Sequence, residues 1–167
     1  MRYLWLDAQL ESLGELIGMI DQELDAICQK STQVGDADSF GYFDSAEHVT
    51  GLGFVACQTY MATVYGYMKI EKQIALSAGP CHPGGHSKVQ IINHAANYWK
   101  HNNEWVLDRS AARRQVIEKA FDSVGFPVGT DYPLSGVLTE VASPESAGFQ
   151  PVLHILRLWK VELCGAA

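Results

Sequence analysis

The sequence predicts an all-α protein: a single-domain bundle of about five helices, in which long antiparallel helices form the frame. Three observations support this prediction. Apolar residues recur at spacings of three and four over long segments, which is the period of an amphipathic helix. Gly, Pro, Ser and Asp are concentrated in the segments between them, and no segment alternates apolar and polar residues as a half-buried strand does. A chain of 167 residues that is 47% hydrophobic can bury one core, so residues 1–167 are expected to form one domain.

A helix over residues 4–29 is the clearest element. Its apolar residues alternate spacings of four and three over three heptads, with Asp and Glu on other faces. A seam of this length can pack inside a bundle or against a second copy of the chain, so a homodimer through helix 4–29 is one expected assembly. The seam consists of Leu6, Leu10, Leu13, Ile17, Ile20, Leu24 and Ile27.

The remaining helices are separated by segments rich in helix-breaking residues. Ser45 is expected to cap the second helix, and Asp131 a short helix later in the chain. Gly51, Gly53 and Gly66 each weaken a helix interior by about 1 kcal/mol relative to Ala, and such glycines are tolerated where another segment comes close. The helices are expected over 45–77, 86–105, 110–124, 133–142 and 150–163, with loops at 30–44, 78–86, 126–133 and 143–148.

Composition limits the kinds of protein this can be. No run approaches the roughly 18 apolar residues of a membrane-spanning helix, so no membrane span is expected. The first apolar stretch contains acids and lacks a small-residue cleavage site, unlike a secretory signal. The four cysteines lie far apart, so they are expected to be reduced thiols in a cytoplasmic protein, most of them packed as small hydrophobes.

The net charge of −7 is unevenly distributed along the chain. Residues 1–47 carry ten acids and two bases, residues 48–120 carry four acids and eight bases, and residues 121–167 carry five acids and two bases. The acidic first part is either a solvated helical surface or a surface suited to a basic partner, and the basic middle suits an anion.

The helix expected over 86–105 carries the most unusual side chains. Its apolar positions form one stripe, and Asn93, Asn97, Lys100 and His101 fall on a neighbouring face at about 100° per residue. Aligned amide, ammonium and imidazole groups can form a polar binding site. These four residues, with Arg113 from the next helix, are therefore the candidate binding residues.

The string from Ala96 to His101, which reads ANYWKH, resembles the signature helix of the HEPN superfamily. These are small helical bundles of prokaryotic toxin–antitoxin and defence systems, and their active members are metal-independent ribonucleases. Their motif is an Arg, a polar residue, three further residues and a His. Asn97 matches the polar position and His101 the histidine, whereas Ala96 stands where the arginine would be. The resemblance implies His101, Asn97 and Lys100 as candidate catalytic residues, with the phosphate-stabilising cation of the motif missing.

Only the polar residue and the histidine of the motif are present, and residues 1–47 are acidic. Both observations favour a non-catalytic binding protein of a toxin–antitoxin, immunity or defence type. Its expected partner is a protein, such as a basic toxin. The alternative is a HEPN-type ribonuclease acting on RNA through His101, with Lys100 or an arginine from 109–114 replacing the missing one. Neither interpretation requires a cofactor.

Cys81, His82, His86 and His94 form a second group that could carry chemistry. Thiolate and neutral imidazole are zinc ligands, and a Pro/Gly-rich loop followed by the start of a helix could bring these residues together. Their spacing matches no closed structural zinc site. A metal-dependent hydrolase with a site at 81–94 is therefore the third and weakest interpretation.

Overall fold

The computed structural model describes residues 4–106 and 112–166, apart from the side chains of Val106, Arg113 and Ala166. These ranges contain seven α-helices, one 3₁₀ turn and no strand, which confirms the predicted all-α class. The helices are α1 (Leu4–Ser31), α2 (Tyr42–Met68), α3 (Lys72–Ser77), α4 (Lys88–His101), α5 (Ala112–Ser123), α6 (Pro133–Ala142) and α7 (Phe149–Ala166), and the 3₁₀ turn is Glu104–Val106.

The described residues contain one helix more than the six ranges expected from the sequence, because the helix expected over 45–77 is divided. Lys69 adopts the left-handed conformation, with φ of 57°, and closes α2. Its amide donates to the carbonyl of Gly66, and the amide of Ile70 donates to the carbonyl of Tyr65, so the last carbonyls of α2 are satisfied as at a helix C-terminus. The short helix α3 follows as a separate element.

The apolar seam of α1 is used inside the chain. Leu6, Leu10, Leu13, Ile17 and Ile27 are buried, whereas the other two seam residues are half-buried. Helix α1 contacts α2 and α7, and a single cluster of buried residues draws on all seven helices. The seam is thus already covered, and a homodimer through α1 would have to use other, exposed side chains of that helix.

Two helix starts differ from the expected ones. Helix α2 begins at Tyr42 rather than after Ser45, because Gly41 takes the left-handed conformation at the N-cap. The hydroxyl of Ser45 instead donates to the carbonyl of Gly41 within the first turn. Helix α6 is capped not by Asp131 but from α2: the carboxylate of Glu47 accepts hydrogen bonds from the amides of two first-turn residues at 2.6 and 2.9 Å.

Helix α7 is capped in the same way from another helix. The carboxylate of Asp21, on α1, accepts hydrogen bonds from the amides of Phe149 at 2.8 Å and Gln150 at 3.2 Å. Burial raises the pKa of Asp21, and the two backbone hydrogen bonds oppose this rise. A carboxylate at a helix N-terminus is also favoured by the helix dipole, so both caps fix neighbouring helices against each other.

Helix α4 is held at its start by a local signal. Ser87 is the N-cap: its hydroxyl accepts from the amide of Gln90, and the Gln90 side chain accepts from the amide of Ser87, each at 3.0 Å. This is a capping box. The preceding loop at 78–86 is ordered and not helical, as predicted. Helix α4 ends at His101 instead of continuing to 105, and the caps expected for α5 at Asp108 and Ser110 lie outside the described residues.

None of the described helices combines the length and the apolar character that crossing a membrane requires. All four cysteines are unpaired. The expectation that most of them are packed in the interior is wrong, because only Cys57 is buried, whereas Cys28 and Cys81 are exposed.

Candidate functional site

A hydrogen-bonded network joins α4 to α2 through Gln58. The amide nitrogen of Gln58 donates to the Oδ1 atoms of Asn93 and Asn97, each at 2.9 Å. The Oε1 atom of Gln58 accepts from the ammonium of Lys100 at 2.6 Å. Three of the five candidate binding residues are therefore brought together, and Gln58 is the residue that connects them.

The close packing of α2 on α4 depends on a glycine. A Cβ atom added at Gly51 would lie 1.7 Å from Cδ1 of Trp99, so only glycine allows this ring to lie against the backbone of α2. Trp99 is half-buried, and its indole lies beside the imidazole of His48, with 5.3 Å between ring centroids. The glycine that weakens α2 thus makes room for an aromatic ring at the surface.

This ring borders a large open cleft, the Trp99 cleft, with a volume of about 780 Å³. The lining contains three carboxylates and one ammonium, besides aromatic rings from three elements. The cleft is lined by Asp44, Glu47, His48, Tyr98, Trp99, Lys100, Asn102, Asn103 and residues 130–134. Negative charge therefore predominates in it, and Glu47 both lines the cleft and caps α6.

Tyr132, which lines the cleft, lies close to several carboxylates. Its hydroxyl donates a hydrogen bond to Asp38. That bond raises the pKa of Tyr132 to about 12, and the negative charges of Asp38, Asp44 and Asp131 act in the same direction. The carboxylates of Asp44 and Asp131, which line the cleft themselves, favour a cationic group there.

His101 is bonded outside the Gln58 network. The Nδ1 atom of His101 lies 3.0 Å from a carboxylate oxygen of Glu104, in the 3₁₀ turn that follows α4. The side chain of Arg113 lies outside the described residues. Asn93, Asn97 and Lys100 therefore share Gln58 as a hydrogen-bond partner, whereas His101 is directed towards Glu104.

The four metal candidates do not meet at one point. The imidazole of His82 lies 3.5 Å from the carboxylate of Glu140 on α6, and its Nδ1 accepts from the amide of Gly84. His86 instead meets Ser123, at 3.2 Å, and His94, with 6.3 Å between ring centroids. Cys81 is exposed. In the described part of the chain, no three His, Cys, Asp or Glu side chains are placed to hold a metal ion.

The residues that sequence reasoning missed are those of α2 and of the segment before α6. Gln58 lies 35 residues before Asn93, and no local pattern connects the two. Glu47 gave no signal, because Asp131 offered a cap close in sequence and Glu47 lies 87 residues before the first amide of α6 that it caps. Tyr132 gave no signal, since its left-handed backbone conformation, with φ of 53°, is unusual for an aromatic residue.

The residues that carry the HEPN resemblance are either buried in the core or hydrogen-bonded to neighbouring side chains. Ala96 is completely buried, so the position of the motif arginine lies in the core and not in a site. Asn97 is bonded to Gln58, and His101 to Glu104. Comparison of the chain with protein-family models, with curated proteins and with solved structures finds no match.

Proposed function

We propose that this protein is a non-catalytic, HEPN-like binding protein that holds a basic protein partner at the Trp99 cleft. The partner is of the kind found in prokaryotic toxin–antitoxin, immunity or defence pairs, such as a basic toxin, and the encounter takes place in the cytoplasm. The observation that supports this proposal is the acid-lined, aromatic cleft between α2, α4 and the segment before α6.

The cleft suits a cationic side chain of the partner. An arginine or lysine entering it would meet the carboxylates of Asp44 and Asp131 beside the Trp99 indole. Cation–π contacts contribute about 0.5–2 kcal/mol, and charge complementarity speeds association and selects the partner. Trp, Tyr and Arg are also the residues that most often dominate the energy of protein interfaces.

Exposed aromatic side chains extend this surface beyond the cleft. Phe40 is 67% exposed and Phe43 is 44% exposed, although both are large apolar residues. Phe43 packs edge-on against Tyr132, with 5.6 Å between ring centroids, so this aromatic pair continues directly from the cleft. Apolar anchors surrounded by charge are typical of a protein-binding surface.

The environment of the motif supports a non-catalytic role. Phosphate cleavage needs a cation near the scissile group, and the buried Ala96 supplies none. The amide oxygen of Asn97 is already bonded to Gln58, and His101 is bonded to Glu104. The polar residues of α4 thus hold α2 and the following turn in place, which is a structural role.

Charge reversal tests the binding surface. The variant Asp44→Lys/Asp131→Lys should lose a partner that wild-type protein captures from the source cell. That partner should be basic, and added salt should weaken the wild-type complex. The matched control is Glu11→Lys/Glu15→Lys, which reverses two exposed carboxylates of α1 outside the cleft. Equal loss of the partner in both variants, or a partner that is acidic, would contradict the proposal.

A ribonuclease assay tests the absence of catalysis. Purified protein incubated with total RNA, with chelator present, should leave the RNA intact. Cleavage that persists in chelator and vanishes in His101→Ala would overturn the non-catalytic assignment and identify a HEPN-type ribonuclease.

A further inference from the structure

A second polar cavity lies between α3, α4 and α5, and it is called here the His94 cavity. Its volume is about 320 Å³, near the lower end of the range for small-molecule sites. Polar side chains in its lining include Lys72, His86, Gln90, Asn93, His94 and Asn97. The α4 residues among them lie on a different face of the helix from Trp99, so this cavity is separate from the Trp99 cleft.

Three amides of this lining are oriented by bonds that the protein makes elsewhere. The Oε1 atom of Gln90 accepts from the amide of Ser87 in the capping box. The Oδ1 atoms of Asn93 and Asn97 both accept from Gln58. Each side-chain oxygen already accepts a hydrogen bond from the protein, which orients the amide and leaves its NH₂ group available to donate to a ligand.

The lysine and histidine side chains of the lining also favour a ligand that accepts hydrogen bonds. Lys72 carries an ammonium, and the imidazoles of His86 and His94 have ring nitrogens that can donate a hydrogen bond. No Asp or Glu is among the described residues that line the cavity. The hydroxyl of Ser123 donates to the carbonyl of Ala120 at 2.7 Å, so its oxygen is left to accept from Nδ1 of His86. The cavity therefore offers donors and positive charge and no anionic group.

We infer that the His94 cavity binds a phosphoryl group, carried by inorganic phosphate or by a small phosphate monoester. A tetrahedral dianion has oxygens enough for several amide donors and an ammonium at once, and lysine binds phosphate as a point charge. This site is additional to the proposed partner-binding cleft and does not depend on it.

Two further observations agree with an anionic ligand. Burial, together with the nearby charges of His86 and Lys72, lowers the pKa of His94 to about 4, so neighbouring positive charge disfavours a proton on this imidazole. An anion would relieve that repulsion. Leu76, Val116 and Ile117 form an apolar part of the wall, which could cover the organic part of a monoester.

Titration calorimetry of the full chain in chloride buffer tests the inference, with inorganic phosphate and phenyl phosphate as probes. Each should show saturable, one-to-one binding and should raise Tm, because a ligand that binds only the folded state stabilises it. Similar affinities would indicate a site for the free anion. A phenyl phosphate affinity at least about tenfold higher would indicate a monoester that uses the apolar wall.

Asn97→Asp is the sharpest variant. It keeps an oxygen for Gln58 and replaces the NH₂ donor by a second carboxylate oxygen, so phosphate affinity should fall at least about tenfold. Gln22→Glu adds the same charge at an exposed position of α1, outside both the cavity and the cleft, and should leave the affinity within about twofold of wild type. Lys72→Gln should also weaken binding, whereas Lys30→Gln on α1 should not.

Thermal melts separate loss of the fold from loss of the site, because Lys72 and Asn97 are not core residues and their variants should melt cooperatively. Absence of saturable binding for both probes would overturn the inference. It would equally be overturned if Asn97→Asp and Lys72→Gln bound phosphate as tightly as wild type, since the anion would then lie elsewhere. None of these results bears on partner capture at the Trp99 cleft.

Discussion

The Trp99 cleft and the His94 cavity share helix α4 but have opposite electrostatic character. The cleft is lined by three carboxylates and one ammonium, whereas the described lining of the cavity contains an ammonium, two imidazoles and no carboxylate. Both contain amides and residues of α4. The charge of a site on this helix is therefore set by what the neighbouring helices contribute: α2 and the segment before α6 on one side, α3 and α5 on the other.

Gln58 is the residue that touches both regions. Its oxygen accepts from Lys100, which lines the cleft, and its nitrogen donates to Asn93 and Asn97, which line the cavity. The amide of Gln58 thus holds the ammonium of Lys100 at the Trp99 cleft. It also orients the NH₂ groups of Asn93 and Asn97 towards the His94 cavity. A network of this kind, part-buried at Asn93 and Asn97 and exposed at Lys100, fixes the orientation of the Gln58 amide.

The largest effect is expected from Gly51→Ala. The new Cβ would overlap the Trp99 ring, so the ring or the α2 backbone must move, and unfolding free energy should fall by about 3 kcal/mol or more. Partner capture should be lost with the cleft. Urea denaturation measures the change, and Gly66→Ala is the control: a Cβ there meets nothing within 4 Å, so this variant should be slightly more stable than wild type.

Lowering the pH should reduce the free energy of unfolding through the protonation of His94. The unfolded state takes up a proton at His94 near pH 6.5, whereas the pKa in the folded state is lowered to about 4 by burial and by the charges of His86 and Lys72. The folded state is therefore favoured above pH 6.5 and loses up to about 3 kcal/mol as the pH falls towards 4.

The variant His94→Gln should flatten this part of the pH profile, measured by urea denaturation between pH 7 and pH 4. His154→Gln, which removes an exposed imidazole of α7, is the control and should keep the wild-type slope. An unchanged slope in His94→Gln would show that the imidazole titrates normally, and the crowding of positive charge in the cavity would be refuted.

Gln58→Ala should have a smaller effect that reaches both regions. Removing the amide leaves the Oδ1 atoms of Asn93 and Asn97 without their donor, which should cost about 1–3 kcal/mol. Phosphate affinity should also fall, because the two amides are then free to rotate their oxygens towards the anion. Gln22→Ala, at an exposed position on α1, should change neither quantity by more than about 0.5 kcal/mol.

The sequence predicted the helical class and the seam of α1, because periodicity over many residues records which face is buried. Leu13 lies at 6% exposure, as that seam requires. The break at Lys69 and the start of α2 at Gly41 were missed, since both depend on single left-handed residues. The caps of α6 and α7 were missed for a related reason: each comes from a carboxylate on a distant helix.

The candidate site was predictable along α4 and not across helices. Helical spacing fixes the relative positions of Asn93, Asn97 and Lys100 on α4, and all three contact Gln58. It gave no information about Gln58, whose position depends on how α2 packs against α4. For the same reason the metal group was predicted from residues close in sequence, although His82 faces α6 and His94 faces the cavity.

The smallest effect is expected from His101→Ala. The pair of His101 with Glu104 is largely exposed on the Glu104 side, where the side chain is 72% accessible, and such pairs contribute about 0.2–1 kcal/mol. His101 belongs neither to the Gln58 network nor to the described lining of either site. Its loss should therefore leave partner capture and phosphate affinity within about twofold of wild type.

Lys100→Ala is the comparison variant for His101→Ala. Lys100 directly precedes His101 in the chain, but its ammonium donates to Gln58. Its removal should weaken orientation of the Gln58 amide and should lower stability more than His101→Ala does. If His101→Ala had the larger effect, or abolished a cleavage of RNA that wild-type protein performs, the motif histidine would be functional. A catalytic site at the C-terminus of α4 would then be more important than the Trp99 cleft and the His94 cavity.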